Sequence, residues 1–350
     1  MKKKLIKNLL LVLTMVVLCF AVCVTASAEE FTENGFIYEV KDGNAIIVGC
    51  DSTVSGDVII PSSLGGYAVT EIWDCAFENN IDITGVTIPD SVTKIGDSAF
   101  ENCFGLETVI IGDGVKTIDE EAFYCCQAMK NLSLGDSVKT IGAYAFYDCV
   151  GLKSIDIPYG VANIGSHAFS SCAGLTSIVI PDSVTVLGNQ AFSLCTGLRS
   201  VTLSNKLTKI DHETFMFCSG LTNVVIPDSV SVLGLQVFAY CVGLKSVTLP
   251  KNLTEIPAGA FYNCSGLTSI DVPAGVTGID DQAFQGATGL TNINIPDTVE
   301  SIGEDIIDTI TIGFQLIVRG TDDWLNDVTI ATKQKVNWQD NIVFLDEAPF

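Results

Sequence analysis

The chain has 350 residues, 48% of them hydrophobic, with 41 acidic against 18 basic side chains and a formal charge of −23. A surface so negative repels nucleic acid and anionic lipid, which removes both from the list of partners. Two histidines in the whole chain leave little material for acid–base or metal chemistry.

Lys2, Lys3, Lys4 and Lys7 open the sequence, an apolar run extends from Leu9 to Val24, and Ala26-Ser27-Ala28 precedes Glu29. That order predicts a signal peptide over residues 1–28, cut after Ala28. The apolar run is shorter than the ~20 residues a spanning helix needs, so an uncleaved anchor fits less well. Neither Cys19 nor Cys23 follows the small residue of a lipoprotein signal. Cleavage removes four lysines and no acid, moving the charge from −23 to −27. The mature protein is expected outside the cell, with no further membrane insertion.

In residues 29–72, Phe36, Tyr38 and Val40 alternate, Asp42-Gly43 supplies a hairpin turn, and Ala45 to Val48 returns. Ile60-Pro61, Val69 and Ile72 then outline a coil interrupted around Gly65-Gly66-Tyr67. Over residues 73–305 the pattern becomes strict: Phe77, Phe100, Phe123, Phe146, Phe169, Phe192, Phe215, Phe238, Phe261 and Phe284 recur every 23 residues. A fixed period of that length predicts a solenoid, in which each coil buries its apolar face only by stacking on its neighbours.

Within a coil, Val109 and Ile111 keep a period of two, which is strand-like, and the remaining apolar spacing of three or four predicts turns or short helical pieces. Pro89, Pro158, Pro181, Pro227, Pro250, Pro273 and Pro296 end the strands, because proline cannot donate to a ladder. The expected fold is an α/β solenoid with one short parallel strand per 23-residue coil. After residue 305 the register weakens. Phe314, Leu316 and Val318 alternate, Trp324, Leu325 and Val328 fit one side of a helix, and Ile342 to Leu345 reads as a last strand, so 306–350 is expected to shield the final coil.

Eight cysteines follow the repeat phenylalanine by three residues: Cys103, Cys126, Cys149, Cys172, Cys195, Cys218, Cys241 and Cys264. Equivalent residues of adjacent coils lie ~4.8 Å apart and point the same way, whereas bridged cysteines converge. A column of buried thiols is therefore the better reading, and no Cys-x-x-Cys spacing suggests a metal. Cys50, Cys75 and Cys125 stand off the column, and their redox state is left open. Many free thiols in an exported chain point to a reducing habitat.

The unit Leu-x-x-Ile-x-Ile-Pro-x-x-Val-x-x-Ile-Gly-x-x-Ala-Phe-x-x-Cys resembles the BspA-type leucine-rich repeat of bacterial surface and secreted proteins. The resemblance implies an arc of stacked strands outside the cell, capped by β-rich segments at 29–72 and 306–350, and often engaged in adhesion or host contact.

Three surfaces are candidates for a partner. The outward columns of the strand, Gly85 to Asn292 and Thr87 to Asn294, are small and polar, suited to hydrogen bonding along the ladder. Aspartates 90, 113, 136, 182, 228 and 297 form a broken column that ordinary turn chemistry explains better than calcium does. Leu194, Phe217 and Tyr240 recur at one coil position, with Met216 beside them, and make an apolar stripe that either receives a partner or packs under the next coil. His167 and His212 lack any nucleophile or metal motif and are expected at the surface.

No cofactor, metal or catalytic group is expected. The sequence points to a non-enzymatic recognition protein that binds a protein or glycan of a host or neighbouring cell. The alternative is a structural component of the cell surface that self-associates through its solenoid.

Overall fold

The computed structural model describes residues 29–307 together with strands at 315–319, 329–330 and 342–345. Residues 1–28, and the helix expected around Trp324, Leu325 and Val328, lie outside the described residues.

Coils carry two strands rather than one, except that of residues 150–172, where Asn163–Ile164 stands alone. Thr108–Ile111 pairs in parallel with Asn131–Ser133 of the next coil, and Thr117–Ile118 pairs in parallel with Thr140–Ile141. Both ladders shift by one repeat, so matched residues superimpose. The second strand is only two residues long, too brief to leave an alternation in the sequence.

The rest of the coil is a run of tight turns, and no helix occurs among the described residues. The α component of the expected α/β fold is thus replaced by turns, for a definite reason. Between Ser98 and Cys103 the backbone N–H groups alternate in direction. Ser98, Phe100 and Asn102 donate forward to Glu120, Ala122 and Tyr124 of the next coil, at 2.8–3.0 Å. Ala99, Glu101 and Cys103 donate within the coil, three residues back. A helix points every N–H the same way. The alternation is obtained by placing Ser98 and Asn102 in the left-handed region, at φ 53° and 58°, and each such residue stops a helical turn from propagating.

Inside, the repeat phenylalanines form one continuous stack from Phe77 to Phe284. Neighbouring ring centroids are 4.8 to 5.8 Å apart and the rings lie within 7° of parallel. All ten rings are buried, each flanked by the Leu, Ile and Val positions of its coil. Phe36 meets Phe77 edge-on at 6.3 Å and 75°, so the stack ends against the amino-terminal strands.

Those strands, Glu30–Glu33, Phe36–Lys41 and Asn44–Cys50, form an antiparallel meander whose third member pairs with Tyr67–Ile72. Asp42 and Gly43, at φ 52° and 78°, make the expected hairpin turn. The first strand was not legible, because its four residues are all exposed. At the other end, Gln315–Arg319 pairs in parallel with Asn292–Pro296, and Ile342–Leu345 pairs with Gln315–Arg319. The register therefore runs on past 305, and these strands extend the sheet. Pro296 is the last residue of its strand, opposite Arg319.

The eight column cysteines are buried free thiols. Each thiol donates to the carbonyl of the preceding coil's phenylalanine, as in Cys103 to Phe77 and Cys195 to Phe169, both 3.2 Å. Cysteine is small enough for the site and carries one weak donor, which suits that carbonyl.

Two measurements check this core. Phe192→Ala should cost about 3–5 kcal/mol in urea unfolding, because no smaller ring or methyl group can refill the stack. Burial pushes the thiols of Cys103, Cys195 and Cys264 up to about 12. An alkylating reagent at mildly alkaline pH should therefore leave the column unmodified in mass spectra of the native protein and label it fully after unfolding.

Candidate functional site

Two left-handed positions per coil give the turn side two columns where the ordinary steric rules are suspended. One column runs through Asn79, Asn102, Asp148, Asn263 and Gly286, residue types that accept positive φ readily. Leu194, Phe217 and Tyr240 occupy the same column, each at φ 61°. For such side chains the left-handed conformation costs on the order of 1–2 kcal/mol per residue. Strain kept at three successive coils is the kind of outlier from which a functional hypothesis starts.

The structure brings the four residues singled out in the sequence onto one stretch of surface. Leu194 is 40% exposed, while Met216, Phe217 and Tyr240 are half-buried. The Phe217 and Tyr240 rings stack at 4.4 Å and 15°, and Tyr262 meets Tyr240 edge-on at 5.3 Å. The Met216 carbonyl accepts the Leu194 N–H at 2.8 Å and the Ser193 hydroxyl at 3.3 Å, tying adjacent coils together at this point. The Phe217 and Tyr240 rings therefore lean on one another, and none of the four side chains is fully buried.

A second aromatic group went unnoticed in the sequence. Tyr124 and Tyr147 stack at 4.9 Å and 7°, and Tyr144 and His167 stack at 4.4 Å and 7°. Tyr144 and Tyr147 link the two pairs at 5.7 Å. All four rings are half-buried. Tyr144 and His167 belong to the other left-handed column, at φ 55° and 57°. Burial holds the His167 imidazole below its usual range, and the more distant Glu213 carboxylate works against that shift. The available signal was the spacing: each stacked pair is one repeat apart at a non-core position.

The other candidates resolve into structure. Asn131 donates to Thr108 at 3.3 Å and Ser246 to Asn223 at 2.7 Å, so the polar strand columns hydrogen-bond along the ladder. The carboxylates of Asp90, Asp113, Asp182 and Asp228 each accept the backbone N–H of the matching residue one coil on, at 2.8–3.0 Å. His212 does the same with its ring, taking the Leu235 N–H on Nδ1 at 2.9 Å, in the coil position where Asp74 and Asp281 serve Asp97 and Glu304. Among the described residues, no group of three or more His, Cys, Asp or Glu side chains is placed to hold a metal ion.

The strand surface is interrupted at Ser154–Ile157, which takes no strand pairing. A cleft of about 630 Å³ opens there beside Tyr159. Tyr159 stands in the aspartate column, where it offers no carboxylate to the next coil. The cleft contains no histidine, cysteine or basic residue.

No helix among the described residues is long and apolar enough to cross a membrane. The chain is similar to a leucine-rich repeat protein from Bacteroides ovatus ATCC 8483, with 28% identity, a TM-score of 0.54, and coverage of 91% of this chain and 100% of that one. A leucine-rich repeat protein from Eubacterium ventriosum ATCC 27560 shares 30% identity over 66% of this chain and 64% of its own, at a TM-score of 0.50. The pneumococcal vaccine antigen PcpA shares the fold at 18% identity and a TM-score of 0.51, covering 92% of this chain and 99% of that one. No curated protein matches. The BspA type leucine rich repeat region is matched over residues 70–199 and 188–312, as six copies. Through these coils, the chain belongs to the BspA-type leucine-rich repeat family.

Proposed function

We propose that the chain is an exported, non-catalytic recognition protein that adheres to a protein of a host or neighbouring cell through the stripe of Leu194, Met216, Phe217 and Tyr240. The observation that carries this reading is the triple placement of bulky apolar side chains in left-handed backbone. Asparagine or glycine fills the same position elsewhere in the array at less conformational cost. Ring stacking along the column returns part of that cost, on the order of 0.5–1.5 kcal/mol for an aromatic pair. Leu194 remains exposed at the surface.

Export rests on the basic, apolar and small-residue order of residues 1–28. A protein partner suits the stripe better than a glycan, because aliphatic, thioether and aromatic groups form the contact and hydrogen-bonding groups are few. Apolar surface of this kind usually marks a protein contact, and aromatic side chains at its centre make good anchors. Both histidines already have structural partners in Tyr144 and the Leu235 amide, which supports a non-catalytic reading.

The test is the combined variant Leu194→Asn, Phe217→Asn and Tyr240→Asn, assayed for binding to surface and matrix proteins and on a glycan array. Each substitution installs a residue the column already uses, so the melting temperature should hold or rise by a few degrees. Protein binding should fall at least ten-fold. Undiminished binding by a well-folded variant would remove the stripe from the function. Concentration-dependent oligomers of the wild-type chain that the variant abolishes would favour the self-associating surface component instead.

A further inference from the structure

The group of Tyr124, Tyr144, Tyr147 and His167 has a chemistry unlike that of the apolar stripe. Its rings are half-exposed and stacked in two pairs, and two of them sit in left-handed backbone. Carboxylates border it. Glu121 precedes Tyr144 by one coil in the same column, and Asp148 follows Tyr147 directly in the chain. The Glu121 carboxyl is held above its usual range by burial and then by the neighbouring charges of Glu101, Asp97 and Glu120.

No cation answers these acids. The ion pairs of the described residues join Lys94 to Asp119, Lys130 to Glu107, Lys209 to Asp211 and Lys251 to Asp228, and none includes Asp97, Glu101, Glu120, Glu121 or Asp148. Gln127 and Cys125 donate neutral hydrogen bonds to Asp148, which leaves its charge in place. Aromatic faces carry negative potential and attract cations. Carboxylates beside them add to that field, and a net charge of −23 on the whole chain steers cations toward it.

We propose that this aromatic patch is a docking site for a basic peptide segment of a partner protein, with arginine side chains stacking on the tyrosine and histidine rings and pairing with Glu121, Asp148 and Glu101. A metal ion is a poorer occupant, because no three ligating side chains converge among the described residues. Arginine fits better than lysine, since a planar guanidinium can stack and pair with a carboxylate at once. The chain already uses related chemistry within itself, where the Lys41 ammonium lies 5.4 Å from the centre of the Trp73 ring. The inference stands apart from the apolar stripe and does not require it.

The experiment titrates a short oligo-arginine peptide, and an oligo-lysine peptide of equal length, into the mature protein by calorimetry at about 0.15 M salt, where diffuse attraction beyond about 8 Å is screened. Tyr144→Asn and His167→Asn delete rings while keeping residues that tolerate positive φ, so both variants should fold; Tyr147→Leu keeps apolar bulk without the ring. Asp297→Asn with Glu300→Gln serves as a control that makes the net charge less negative several coils away. Each ring deletion should weaken oligo-arginine binding about three- to ten-fold, with oligo-lysine the weaker ligand throughout. The control, and the triple asparagine variant of the apolar stripe, should stay within about two-fold of wild type, less than any one cation–π contact supplies. Wild-type affinity in folded Tyr144→Asn and His167→Asn overturns the proposal. So does a control that weakens binding as much as the ring deletions, since that marks attraction by net charge alone. Neutral oligosaccharides that bind the patch when the basic peptides do not overturn it as well.

Discussion

Backbone hydrogen bonds between coils set everything else in this molecule. On the two strand sides the N–H groups point both ways along the ladder, back as in Glu107 to Thr84 and Lys116 to Thr93 at 2.8–2.9 Å, and forward as in Ile180 to Thr202 and Ile226 to Thr248 at 2.9–3.0 Å. On the turn side they point forward, from Phe100 to Ala122 and from Asn102 to Tyr124. Satisfying these bonds coil after coil holds the array from Phe77 to Phe284 to one length, whereas longer coils stand at its ends, where Val58 pairs with Val86 and Ile302 with Ile330. The constant period follows, and with it the superposition of phenylalanine on phenylalanine and thiol on thiol. Burial then stabilises a geometry that the backbone has already restricted.

The same bonding pattern frees the turn side to vary. Left-handed backbone at two positions per coil is required by the forward-pointing donors, and the requirement concerns the main chain alone. Asparagine, aspartate, serine, glutamine, leucine, phenylalanine, tyrosine and histidine all occupy these positions, at different conformational cost but without disturbing the core. The strand side has less latitude, since its outward residues bond to their counterparts along the ladder. Chemical individuality therefore gathers on the turns, where the apolar stripe and the tyrosine–histidine group both lie.

The core was legible because burial and period act on the same residues: Phe192, Cys195, Leu198 and Val201 are apolar, regularly spaced and inside. The thiol column was legible from direction alone, as matched side chains one coil apart run parallel. What could not be read was the conformation between those residues. Apolar spacing of three or four describes a short helix and a run of alternating turns equally well, and only the sign of φ at Ser98 and Asn102 separates them. The two-residue strand at Thr117–Ile118 was silent for want of length. Of the surface groups, Leu194, Phe217 and Tyr240 were visible because large apolar residues interrupt a column of small polar ones. Tyr124 and Tyr147 were not, since tyrosine at a turn draws no notice until its partner one coil away is seen stacked upon it.

Forward donation on the turn side leaves the first coil presenting acceptors along that edge. At the first coil the strand-side N–H of Trp73 is taken up by Ile47 of the meander, while the turn-side carbonyls of Asp74, Ala76 and Glu78 have no earlier coil to receive from. Two copies meeting by this edge would set carbonyl against carbonyl, so a segment that covers it has to bring N–H donors of its own.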